Sequence, residues 1–219
     1  MEDPVAWTQK ILGAIDRYDP LRCTAELQAA GADVPAGVLM SEVIAPCLYE
    51  AGARWHSGRY SIVQEHMLSS AVLRYLAATL DGSNRADARH AVAFVTLAGD
   101  RHGVGALMAA VVAASCGVRA LHLGWDMPVE QLGLLARQVP LAAVALSVVA
   151  RPTAIDAEGQ VRALRAALPT GVEIWLGGYG SRQMSLETLP SGTYLMSTIE
   201  AYIARIDALP GAAGAEDEA

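Results

Sequence analysis

The 219-residue chain has room for one large domain or two small ones, and its 53% hydrophobic, 18% charged composition is that of a folded protein. A formal charge of −7 with no Lys/Arg-rich stretch excludes the cationic surface that grips a nucleic-acid backbone, so direct nucleic-acid binding is not expected. The longest apolar runs, near 106–114 and 141–150, are too short to span a bilayer, and the acidic opening MEDPVAWTQK lacks the apolar core of a secretory signal. Cys23, Cys47 and Cys116 are widely spaced and odd in number, which reads as reduced thiols in a cytoplasmic, membrane-free protein.

The first 81 residues read as four helices with short links, an antiparallel bundle. The first spans 4–18. Asp19-Pro20 starts a second that stops at Gly31, and a third runs from Pro35 to about Gly58. The fourth follows Ser61, where SIVQ has the S-x-x-Q form of a capping box. Ile44, Leu48, Ala51 and Trp55 share one face of the third helix. On the fourth, Ile62, His66, Ser69, Leu73, Leu76 and Leu80 recur at the spacing of a buried seam. That pattern expects Trp55 and His66 to line one end of the bundle, on either side of the turn HSGRY.

The polar stretch 81–90 reads as a linker, after which the period changes. Short apolar runs at 91–98, 118–123, 141–149 and 173–176 alternate with helical patterns at 104–115, 129–138 and 157–168. A weaker strand at 193–196 precedes a last helix at 198–209, and the tail 210–219 reads as disordered. Such alternation predicts an α/β fold with a five-stranded parallel sheet covered on both faces, its ligand site at the carboxyl edge of the strands. The expected domains are therefore a helical bundle, 1–82, and a sheet domain, 90–209.

The first strand empties into GDRHGVG, Gly99 to Gly105. A carboxylate two residues before an imidazole orients the ring and accepts its second N–H, raising its basicity as a metal ligand. Gly103 and Gly105 let the loop approach a bulky ligand. A loop histidine beside a capping aspartate explains the same residues. A phosphate loop would need a Walker Lys-Ser/Thr or the G-x-G-x-x-G spacing, and zinc would need more ligands at close spacing.

The later blocks narrow these alternatives. DRHGVG is followed after 41 residues by SVV, Ser147 to Val149, and after another 27 by Gly177-Gly178. This resembles the D-x-H-x-x-G … S-x-V … G-G signature of base-off, histidine-on cobalamin (B12) domains, over roughly 91–209. The resemblance implies a Rossmann-like, flavodoxin-like fold. It makes His102 the lower axial ligand of cobalt and Asp100 its hydrogen-bonding partner. Gly103 and Gly105 belong to the cofactor loop, and Ser147, Val149, Gly177 and Gly178 line a pocket for the displaced nucleotide tail.

Within the helical half, WHSGRYSIVQEH resembles the W-x9-E-H motif of B12 photoreceptors of the CarH and LitR type and of stand-alone AerR-like regulators. There the tryptophan caps adenosylcobalamin, the Glu-His pair lines the adenosyl cavity, and a histidine beside the tryptophan takes the upper cobalt position after light breaks the cobalt–carbon bond. Carried over, these are Trp55, Glu65, His66 and His56, and they imply a light sensor without turnover rather than an enzyme. His90 and His122 are left as structural or solvated. Those photoreceptors also carry a helix-turn-helix domain, whereas the bundle pattern here begins within a few residues of Met1. The expected output is thus a change in binding to a transcription factor or other regulator, or in light-dependent self-association. Two rivals are a corrinoid methyl carrier, loaded with methylcobalamin and serving methyltransferases, and a module sensing cofactor availability.

Overall fold

The computed structural model describes residues 2–210 and divides into two compact units that meet between Gly82 and Ser83. The tail expected to be disordered lies outside the described residues except for Pro210.

In the first unit, α1 (Pro4–Asp16) and α2 (Pro20–Asp33) both start at Asp-Pro. The proline needs no amide partner in the first turn, and the Asp3 and Asp19 carboxylates accept from the Val5 and Arg22 amides. Gly31, expected to stop α2, lies inside it. A Cβ there would collide with the Tyr75 hydroxyl, so the glycine serves close helix packing and not termination. The third helix is continuous but not uniform: α3 (Ala36–Val38) leads into a π-helical stretch, Leu39–Ile44, and then α4 (Ala45–His56). Pro46 has no N–H and crowds the preceding turn, and the wider π turn, with Ala45 donating to the Met40 carbonyl, accommodates it.

The long α5 (Ile62–Ser83) opens with the expected reciprocal box. Ser61 Oγ accepts from the Gln64 amide at 3.3 Å, and Gln64 Oε1 accepts from the Ser61 amide at 3.0 Å. The buried seam of α5 is Gln64, Leu68, Ala71, Val72, Leu76 and Leu80. The sequence-based stripe was therefore rotated in the first turns: Ile62 is 53% exposed and His66 is exposed, while Ser69 and Leu73 are half-buried. Gln64 displaces them because its amide also reaches α1, receiving the Tyr18 hydroxyl and donating to the Ile15 carbonyl.

The second unit is a parallel sheet in the order β2-β1-β3-β4-β5. Its strands are β1 (Ala91–Leu97), β2 (Arg119–Met127), β3 (Leu141–Ser147), β4 (Glu173–Gly177) and β5 (Thr193–Leu195). Helices α6 (Val104–Ser115) and α9 (Ile199–Asp207) cover one face, with the Tyr202 hydroxyl donating to the Ala109 carbonyl. On the other face, α7 (Val129–Gln138) and α8 (Ala157–Ala167) close over Val95, Leu97, Val144, Leu146 and Ile174. Burial on both sides explains why β1 and β3 read as apolar runs without alternation. β2 extends four residues past its apolar run, to Met127, because as an edge strand its outer half needs no apolar side chains. No described helix is long and apolar enough to cross a membrane.

Candidate functional site

The strand order reverses between β1 and β3, so the loops after these strands diverge and leave a crevice at the carboxyl edge of the sheet. The loop after β1 carries Asp100 and His102. Asp100 is fully buried. Its Oδ1 lies 2.7 Å from His102 Nδ1 and accepts the His102 amide at 3.0 Å, and its Oδ2 accepts the amides of Val149 at 2.7 Å and Ala150 at 2.9 Å. Burial alone would raise this carboxyl; the Ala150, Val149 and His102 amides and the His102 ring outweigh it and hold it below the usual aspartate range. A carboxylate only accepts, so Nδ1 carries the proton and Nε2 presents a lone pair outward from a side chain that is 66% exposed. Asp100 thus ties the β1 loop to the β3 loop and sets one tautomer of the exposed imidazole.

Around this ring the chain is kept small. A Cβ on Gly105 would stand 2.6 Å from Ser147 Oγ, and that hydroxyl is buried without a hydrogen-bond partner. Gly178 has φ +91°, and a side chain there would strike the Val148 carbonyl. The Val148 amide in turn donates to the Gly177 carbonyl at 2.8 Å. Ser147, Val149, Gly105, Gly177 and Gly178, widely separated in sequence, are brought to neighbouring loops of one sheet edge. Leaving a buried hydroxyl unmet costs about 1–3 kcal/mol, which a polar atom entering the space beside it would recover.

In the helical unit, Trp55 and His56 end α4, with ring centroids 4.8 Å apart in an edge-to-face arrangement. His56 Nδ1 donates to the Gly52 carbonyl at 2.9 Å, which again leaves Nε2 as the free nitrogen. Trp55 is 43% exposed and so is not a core residue. Arg54, beside it, bonds Glu50, Asp16 and Tyr60, and the Tyr60 hydroxyl donates to Asp16 at 2.6 Å, fixing the turn 57–61 against α1. Burial and the Asp16 carboxylate push the Tyr60 hydroxyl up to about 12, so it stays a donor at any working pH. Glu65 and His66 stand in the first turn of α5 and contact each other at 2.5 Å. Among the described residues, no hydrogen bond or ring contact joins the Trp55–His56 pair to the Glu65–His66 pair.

One residue at the sheet edge went unread in the sequence. Trp125, in β2, lies across Gly103, where a Cβ would come 2.7 Å from its ring. An exposed tryptophan after a predicted strand, near Gly124 and Pro128, was the available signal, but it lay beyond the apolar run.

Residues 7–79 match the model of a B12 binding domain family. The chain is 35% identical over 176 residues to the HTH-type transcriptional repressor CarH of Myxococcus xanthus, a match covering 80% of this chain and 58% of that protein. The chain therefore spans little more than half the length of that curated relative. The structure of the monomethylamine corrinoid protein of Methanosarcina barkeri superposes with a TM-score of 0.70 at 17% identity, over 94% of this chain and 99% of that one. The chain thus carries a segment that matches a B12 binding domain family, resembles CarH over most of its own length, and shares the α/β architecture of the monomethylamine corrinoid protein. Its residues fit the group: a buried unpaired hydroxyl faces a cradle without side chains, beside an imidazole with its tautomer already set.

Proposed function

We propose that this CarH-like chain is a light-responsive regulator that holds adenosylcobalamin base-off, with His102 as the lower cobalt ligand. The observation that carries the reading is the Asp100–His102 pair, a buried carboxylate orienting an exposed imidazole at the switch point of the sheet. When bound, adenosylcobalamin supplies a cobalt–carbon bond that visible light breaks. Ser147, Val149, Gly105, Gly177 and Gly178 make room for the displaced nucleotide tail. Trp55 would shield the bound group from water with a broad apolar face, and Glu65 and His66 would border its adenosyl part. His56, its Nδ1 already committed to the Gly52 carbonyl, would offer Nε2 as a second nitrogen ligand to cobalt.

Engagement of His56 would alter what the end of α4 contacts, and that end is the element that would bias an output. The output is a change in binding to a protein partner, such as a transcription regulator, or in self-association. The role is regulatory and needs no turnover, and the protein acts in the cytoplasm.

The test is the absorbance spectrum of the adenosylcobalamin-loaded protein before and after green light, with size-exclusion chromatography in both states. A stable two-imidazole spectrum after illumination, absent in His56→Ala, together with a light-dependent elution shift, is expected. A dark spectrum with benzimidazole still on cobalt overturns the His102 assignment. Rapid methylation by a methyl donor and methyltransferase, with an unchanged spectrum after light, makes the chain a methyl carrier instead.

A further inference from the structure

Of the four tryptophans, Trp7 and Trp175 are buried in the cores of their units, whereas Trp55 and Trp125 are 43% and 53% exposed. Trp55 belongs to the motif already described. Trp125 does not, and its setting is unusually constrained for an exposed side chain. It lies where β2 slips register against β1: Val95 pairs with Gly124, but Leu97 pairs with Met127. Both neighbours are left-handed, Gly124 at φ +88° and Asp126 at φ +58°. For an aspartate that backbone is unfavourable and persists only when its surroundings hold it. They do. The Asp126 amide donates to Thr96 Oγ1 at 2.9 Å and to the Asp100 carbonyl at 3.2 Å, and its Oδ1 accepts from the Gly99 amide at 2.8 Å. The bulge is therefore fastened to the end of β1 and to the start of the loop that carries His102.

The consequence is that the indole lies across Gly103, directly after His102, on a backbone that cannot swing away. A Cβ at Gly103 would push into its ring. A large, flat apolar surface is thereby presented at the carboxyl edge of the sheet, next to the imidazole that the proposed function places under cobalt.

We propose that Trp125 is a further cofactor-binding residue, its indole supporting the rim of the corrin macrocycle beside His102 and contributing to affinity through the ring, not through the nucleotide tail. This rests on the reading of His102 as a corrinoid ligand, but not on light sensing. A corrin rim is largely methyl and methylene, and covering a half-exposed indole with it removes apolar area from water on both partners. Trp125 also bounds the space beside His102, so that the ring settles in one position.

The experiment titrates the full chain in the dark with aquocobalamin and with diaquocobinamide, which keeps the corrin but lacks the nucleotide tail. Far-UV circular dichroism verifies the fold of each variant. Trp125→Ala is expected to weaken both ligands about tenfold, mainly by faster dissociation, and Trp125→Phe to recover most of the loss. Should Trp125→Ala fold poorly, Trp125→Gln, of similar reach but without the apolar face, serves the same comparison. Unchanged affinities in Trp125→Ala, with binding lost in His102→Ala, overturn the proposal and leave the cofactor reading intact. Loss confined to aquocobalamin overturns it as well, since that places Trp125 against the tail. A wild-type chain that binds neither ligand overturns the reading itself.

Discussion

His102 and His56 present the same free nitrogen on very different supports. The His102 ring is held by a fully buried carboxylate that also collects three backbone amides from two loops. The His56 ring is held by one carbonyl of its own helix, at an exposed helix end. The first arrangement is set by tertiary structure before any ligand arrives, and disturbing it disturbs the sheet edge. The second is local, and disturbing it leaves the bundle core untouched. On the proposed function, the ligand that stays is the one built into the fold, and the one that engages in a single state is the one kept at its surface.

The comparison is broken first at Asp100. Asp100→Asn removes two of the acceptor sites and places an amide donor against main-chain donors. It is expected to destabilise the sheet unit by about 2–4 kcal/mol in urea unfolding and to weaken aquocobalamin binding about 10–100-fold. A variant as stable as the wild type would mean that Asp100 does not fasten the two loops.

A smaller effect comes from pH. Because the folded state holds the Asp100 carboxyl below its ordinary value, its contribution is fully present above the unfolded value of about 3.9. It is lost as pH falls from there through the folded value. Urea midpoints measured downward from pH 6 should therefore draw together for wild type and Asp100→Asn as the pH falls below about 3.9, and parallel curves would remove Asp100 as their cause. The smallest effect belongs to the other side of the comparison. Trp55→Ala and His56→Ala should each change the stability of the cofactor-free protein by less than about 1 kcal/mol, because neither side chain is buried. A large loss of melting temperature in either would show that the end of α4 is structural after all.

The strands and the Asp100–His102 loop were legible because their signals are local. Apolar runs of strand length, closed by Asp100, His102 and glycine, need no partner to be recognised. The Ser61–Gln64 box was legible for the same reason. The face of α5 was not, since Ile62 and His66 fit a helical period as well as Gln64 and Leu68 do. Only the reach of Gln64 to α1 chose between them. Trp125 escaped because its place depends on a bulge held by Thr96, Gly99 and Asp100 from another strand.

By itself, then, the sequence determined the helical and α/β halves and where the strands begin. Those depend on hydrophobic period and on residues close together in the chain. Tertiary structure alone decided that Asp100 would be buried, that Ser147 would face Gly105 and that Trp125 would lie beside His102. These follow from contacts between distant segments, and their register is set by the packing of the sheet, where a shift of one residue would turn every side chain to the opposite face.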